Sequence, residues 1–172
     1  MNHWSIPNIP HKGWTCIDVI DVRGDGQSTD ETDYETCEMC GNEKIRYVHV
    51  MEHPDLETNF RVGCICAEKM SDDYVNPRRL ESKLRNRAAR RARWTSRSWK
   101  VSRQGNKYLN LEGFNLVIFQ RGSGWGFKIE PIRGRAEFSS SVYRSEQEAM
   151  RALFDQFWKK TSDSNLIWNL EN

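Results

Sequence analysis

Four of the five cysteines stand in two close pairs, C-E-M-C-G at 37–41 and G-C-I-C-A at 63–67, with 23 residues between Cys40 and Cys64. Two thiol pairs at that spacing suit a single metal ion better than disulfides. The cysteine count is odd, and the opening stretch MNHWSIPNIPHKGW shows no apolar secretory segment. A tetrad of thiolates from Cys37, Cys40, Cys64 and Cys66 would give Zn2+ its preferred soft, tetrahedral shell. The first pair, with Gly41 directly after it, has the form of a knuckle, in which a tight turn aims amides at sulfur and glycine takes the positive φ. The second pair has only one residue between its thiols, so both can bind only if the backbone turns sharply. Cys66 is therefore the weakest ligand of the four, with His49 or His53 as its replacement. Disulfides and unligated buried thiols are the alternatives. One structural Zn2+ is expected, because a segment of this length holds too few apolar residues for a core and a metal would supply the missing folding free energy.

The net charge of +2 conceals a strong asymmetry. From Asp18 to Glu38 eight acids face one base, Arg23, a net of −7. From Pro77 to Arg103 eleven bases face only Glu81, a net of +10: Arg78, Arg79, Lys83, Arg85, Arg87, Arg90, Arg91, Arg93, Arg97, Lys100 and Arg103. Nine are arginines, whose planar fork matches phosphate oxygens. Such a block is expected to bind a polyanion. The competing reading is a solvated helix face that folds back on the acidic segment.

Periodicity organises the rest. Residues 1–13 read as an extended arm, 14–22 as a strand and 23–36 as an acidic loop without calcium-loop spacing. Residues 44–52 and 57–63 read as paired strands, and 66–73 as a short helix. Asn76-Pro77 suggests a helix start with Asn76 as cap. The helix runs to about Trp94 with a narrow stripe of Leu80, Leu84, Ala88 and Ala92. Strands follow at 99–103, 106–111, 114–120 and 124–130, with another around 136–143; GSGWG at 122–126 is a hairpin turn between two of them. Ser145–Glu148 forms a capping box for a helix whose apolar face is Ala149, Met150, Leu153, Phe154, Phe157 and Trp158. Ile167 and Trp168 are expected to dock. The fold class is α+β: a zinc-binding module with its arm and acidic loop (1–75), a basic linking helix (76–98), and an antiparallel sheet packed by one helix (99–172).

The order of knuckle, hairpin and a second cysteine pair opening a helix, across residues 37–71, resembles the treble-clef class of zinc fingers. That resemblance implies a fold and leaves function open, since treble clefs serve nucleases, nucleic-acid binders and adaptors alike. His53-Pro54 and Asn59 look similar to two elements of His-Asn-His nucleases built on this clef. The third is missing, because no His follows residue 53. A base without a metal to stabilise the leaving oxyanion would be a poor phosphodiesterase. The element order of 77–160 resembles a double-stranded-RNA-binding domain, and equally the small modules that lay a sheet face in a DNA groove. The whole chain is similar to small zinc-containing proteins of bacteria and phages.

The function expected is non-enzymatic, zinc-stabilised nucleic-acid binding (DNA or RNA) within a larger assembly. The bases of 78–103 would contact phosphates, and Trp94, Trp99, Tyr108 and Phe114 are candidates for base stacking. A protein-interaction adaptor or inhibitor, using the acidic loop 18–38 toward a protein partner, is the alternative; a divergent His-Asn-His nuclease is the second. No apolar run is long enough to span a bilayer, so a cytoplasmic location is expected.

Overall fold

The computed structural model describes residues 2–168, with side chains through residue 162. It is an α+β chain with a three-stranded and a five-stranded antiparallel sheet and, among the described residues, three α-helices. The chain divides into two compact units, 1–88 and 89–172.

In the first unit β1 (Thr15–Asp21), β2 (Tyr47–Glu52) and β3 (Phe60–Val62) pair in sequence order. A bulge at Ile17 shifts the register between Cys16↔Met51 and Asp18↔Val50. The regular alternation expected over 14–22 is broken there, and Ile17 is left exposed. β2 is the central strand and carries Tyr47, Val48, His49 and Met51 as buried residues. Helix α1 (Cys64–Ser71) follows β3 directly and buries Cys66, Ala67, Glu68 and Met70. Cys66, Ala67 and Met70 join Trp14, Cys37, Met39, Ile45, Val48, Met51 and Val62 in the core. Ten residues, two of them cysteines, is a small core for 88 residues.

Helix α2 (Asn76–Ala92) starts as the Asn-Pro pair suggests, but the capping side chain is Asp73. Its Oδ1 accepts from the N–H groups of Val75 and Asn76, both at 2.9 Å, and its Oδ2 from Asn76 Nδ2 at 2.6 Å. The carboxylate satisfies amides that an Asn76 cap would have left to water, and these bonds hold its pKa below the usual range. Only Pro77 is buried on this helix.

The division between units falls inside α2. In the second unit β4 (Lys100–Val101), β5 (Lys107–Leu111), β6 (Phe114–Arg121), β7 (Gly124–Pro131) and β8 (Glu137–Phe138) form a meander in chain order. The β6–β7 turn uses Gly122 at φ 61°. Gly124 must be glycine because a Cβ there would lie 2.5 Å from the Tyr143 carbonyl oxygen. Helix α3 (Glu146–Trp168) opens on the expected box. Ser145 Oγ accepts from Glu148 N–H at 3.2 Å, while the Glu148 carboxylate accepts from Arg144 N–H at 3.0 Å. Ala149, Met150, Leu153, Phe154 and Phe157 are buried against Leu116, Ile118, Phe127 and Ile129. Docking by Ile167 and Trp168 concerns side chains outside those described.

Candidate metal centre and open sheet face

The sulfurs of Cys37, Cys40 and Cys66 lie within 4.8 Å of one another. The sequence places them there in two steps. Gly41, at φ 79°, lets its N–H reach the Cys37 carbonyl at 2.7 Å, and Cys37 N–H donates to the Asn42 carbonyl at 2.7 Å. This turn sets Cys37 and Cys40 side by side. Cys66 then arrives on the first turn of α1. Cys37 and Cys66 are buried and Cys40 is exposed. Gly63 N–H points at Cys37 Sγ at 3.5 Å.

Two of the three sulfurs, Cys37 and Cys66, share a hydrogen bond that moves them in opposite directions. The Cys37 thiol is held down to about 5, first by the bond it accepts from the Cys66 thiol, then by the N–H groups of Gly63 and Cys40, against the opposing effect of burial. Cys66 is pushed up by the same shared bond. One thiolate is stabilised by its neighbours' protons, and a metal ion would take the place of those protons. The cluster can therefore hold a metal ion.

Cys64 does not join this group. It lies with His49 and Glu81, whose ligating atoms fall within 4.8 Å of its sulfur. Residues two apart on a helix differ by about 200° in direction, so a C-x-C pair on α1 cannot aim both thiols at one ion. His49 thus does not take the place of Cys66, and neither does His53. The His53 ring packs on Trp14 with centroids 5.2 Å apart. Its Nδ1 accepts from Asp55 N–H at 3.2 Å and its Nε2 faces the Lys12 carbonyl at 3.1 Å. Both nitrogens are engaged, which leaves His53 poorly suited to act as a nuclease's general base. Asn59 is exposed.

The basic residues separate into paired and unpaired sets. In the first unit Arg78 makes a bidentate pair with buried Glu68. Arg85 pairs with Glu81 at 2.7 Å and lies over the Tyr47 ring, and Arg87 lies 3.6 Å from Asp25. Arg79 is exposed and Lys83 half-buried. In the second unit Arg90 pairs with Glu112 at 2.7 Å, and Arg91 with Asp155 at 3.0 and 3.1 Å. Arg93, Arg97, Lys100 and Arg103 are exposed. In the acidic segment Asp21 and Glu35 are held in ion pairs, while Asp18, Asp30, Glu31, Asp33 and Glu38 are exposed. Asp21 holds Arg46 by two bonds of 2.8 Å, and Glu35 holds Arg61 by bonds of 2.7 and 2.5 Å.

Among the stacking candidates, Trp94 is fully buried against Phe154 and Phe157, and Phe114 meets Phe157 edge-on. Both serve the core, because each sits on the helix-covered side. Trp99 is half-buried against Trp94. Tyr108 faces the other way. The ladder registers Lys100, Tyr108, Val117, Lys128 and Phe138 in one row across all five strands. This row lies on the face opposite α3, and Tyr108, Val117, Lys128 and Phe138 from it, with Phe119, Asn106 and Asn115, line an open groove of about 490 Å³. Phe119 and Phe138 were not singled out by sequence. The sequence carries no alternation there, since Leu116, Val117, Ile118 and Phe119 are all apolar; folding buries Leu116 and Ile118 and leaves Val117 and Phe119 half-buried.

Compared with family models, with curated proteins and with solved structures, the chain matches none.

Proposed function

We propose that the chain is a non-enzymatic nucleic-acid-binding protein whose first unit is held together by one structural Zn2+ on Cys37, Cys40 and Cys66. The observation that carries the binding role is the uncovered face of the five-stranded sheet. It offers Tyr108, Phe119 and Phe138 as rings for base stacking, and Asn106 and Asn115 as amides able to meet base edges. The second unit holds fifteen Lys and Arg against eight Asp and Glu, a net of +7. Its exposed Arg93, Arg97, Lys100 and Arg103 supply phosphate contacts without first giving up a carboxylate. Arg90 and Arg91 would have to exchange Glu112 and Asp155 for phosphate.

The test is a salt series of the full chain on single-stranded and duplex DNA and RNA. Affinity should fall with salt at a logarithmic slope of roughly 0.7 to 0.9 per phosphate contact. Changing Arg97, Lys100 and Arg103 together to Ala should flatten that slope. Absence of binding to every oligonucleotide at about 50 mM salt, where such contacts are strongest, would overturn the reading.

A further inference from the structure

The second unit's sheet and the cysteine cluster leave one group of ligating side chains unused. His49 from β2, Cys64 from the start of α1 and Glu81 from α2 bring a nitrogen, a sulfur and a carboxylate oxygen within 4.8 Å of one another. His49 is fully buried, and its Nδ1 has no hydrogen-bond partner. Its Nε2 lies 3.2 Å from the Pro77 carbonyl. A carbonyl only accepts, so Nε2 carries the ring proton and Nδ1 presents a bare lone pair. A backbone carbonyl that fixes the tautomer in this way is the usual outer support of a metal-bound imidazole. A lone pair shut away from water with nothing to receive is otherwise an unexplained cost.

We propose that His49, Cys64 and Glu81 form a second metal site, taking a borderline divalent cation of the Zn2+ type through imidazole, thiolate and carboxylate. The donor set decides the class of ion: thiolate and imidazole disfavour Mg2+ and Ca2+, which take oxygen shells. Glu81 gives Oε1 to Arg85 and keeps a second oxygen for the ion. The neighbouring charges Glu68 and Arg78 are matched to each other in their own pair. As the metal–sulfur bond forms, the Cys64 proton leaves to solvent. The ion would tie β2, α1 and α2 together across residues 49–81. Three protein ligands also leave a coordination position for water or a small anion.

The test uses the full chain, stripped by chelator under reducing conditions and titrated with Co2+ and Zn2+. The expected result is two equivalents for the unaltered chain and one for Glu81→Gln. Glu81→Gln should also remove one Co2+ absorption component and leave the thiolate-rich component of the three-cysteine cluster. His49→Gln should match Glu81→Gln. Should that buried substitution fail to fold, Glu81→Gln, at a half-buried position, decides by itself. A single equivalent in the unaltered chain that Glu81→Gln retains would overturn the second site while leaving the first. Two equivalents retained by Glu81→Gln would overturn it as well.

Discussion

The two units reach order by different means. The core of the second is ten apolar residues, nine from a five-stranded sheet and one long helix and Trp94 from the turn after α2, with aromatic rings packed edge-on and face-on. The first has short strands, a bulge, and a core in which buried thiols stand among the apolar side chains. Their charges are also opposed: sixteen acids against eleven bases in residues 1–88, a net of −5, and +7 in the rest. A sheet closed by a helix is stabilised by apolar area and tolerates changes of pH and metal. A small unit built around sulfurs would, on the proposed reading, have its chain entropy offset by a bound ion. The difference teaches where each kind of perturbation should be felt.

The largest separation should come from Cys37→Ser or Cys66→Ser. Structural zinc sites contribute on the order of 10 kcal/mol. Either change should therefore abolish metal binding at the triad and unfold residues 15–71. Signals from 107–158 should persist, as amide-resolved NMR would show. The converse is Phe157→Ala, which removes a fully buried ring from the second core. It should cost about 3–5 kcal/mol in denaturant melts and leave metal content unchanged.

A smaller effect sharpens the functional half of the contrast. Phe138 is 62% exposed on the open face. Phe138→Ala and Tyr108→Ala should each weaken single-strand binding by about 1–3 kcal/mol per stacked base, with folding stability little altered. Unchanged affinity in both would remove the stacking role. The smallest effect belongs to the Glu35–Arg61 pair, whose side chains are 31% and 38% exposed. The Arg61 guanidinium lowers the Glu35 pKa. A lowered folded value contributes stability above the ordinary carboxylate range near 4.3, and this is lost as pH falls through the lower value. Exposure to solvent limits Glu35→Gln to under about 1 kcal/mol at neutral pH, with no difference from the unaltered chain in strong acid.

Much of this was legible in particular residues. The knuckle could be read from Cys37, Cys40 and Gly41, because short-range spacing fixes turn geometry. Helix α3 could be read from Ser145, Glu148 and its four-residue periodicity. The fate of Cys64 could not. Only the helical twist of α1 separates it from Cys66, and its partners His49 and Glu81 come from distant segments. The partners of the arginine block were not legible either. Arg91 meets Asp155, 64 residues away, while Arg93 and Arg97, just past the end of α2, are exposed. The open sheet face was not legible: the apolar run 116–119 in β6 does not alternate, and which side the helix covers is decided only on folding.

The most direct measurement is hydrogen exchange of the full chain, with bound metal and after chelation, resolved by segment. Chelation should raise exchange by orders of magnitude in β1–β3 and α1 and leave β5–β7 and α3 protected. Equal protection of residues 15–71 with and without metal would contradict the account, as would a loss of protection shared by both units.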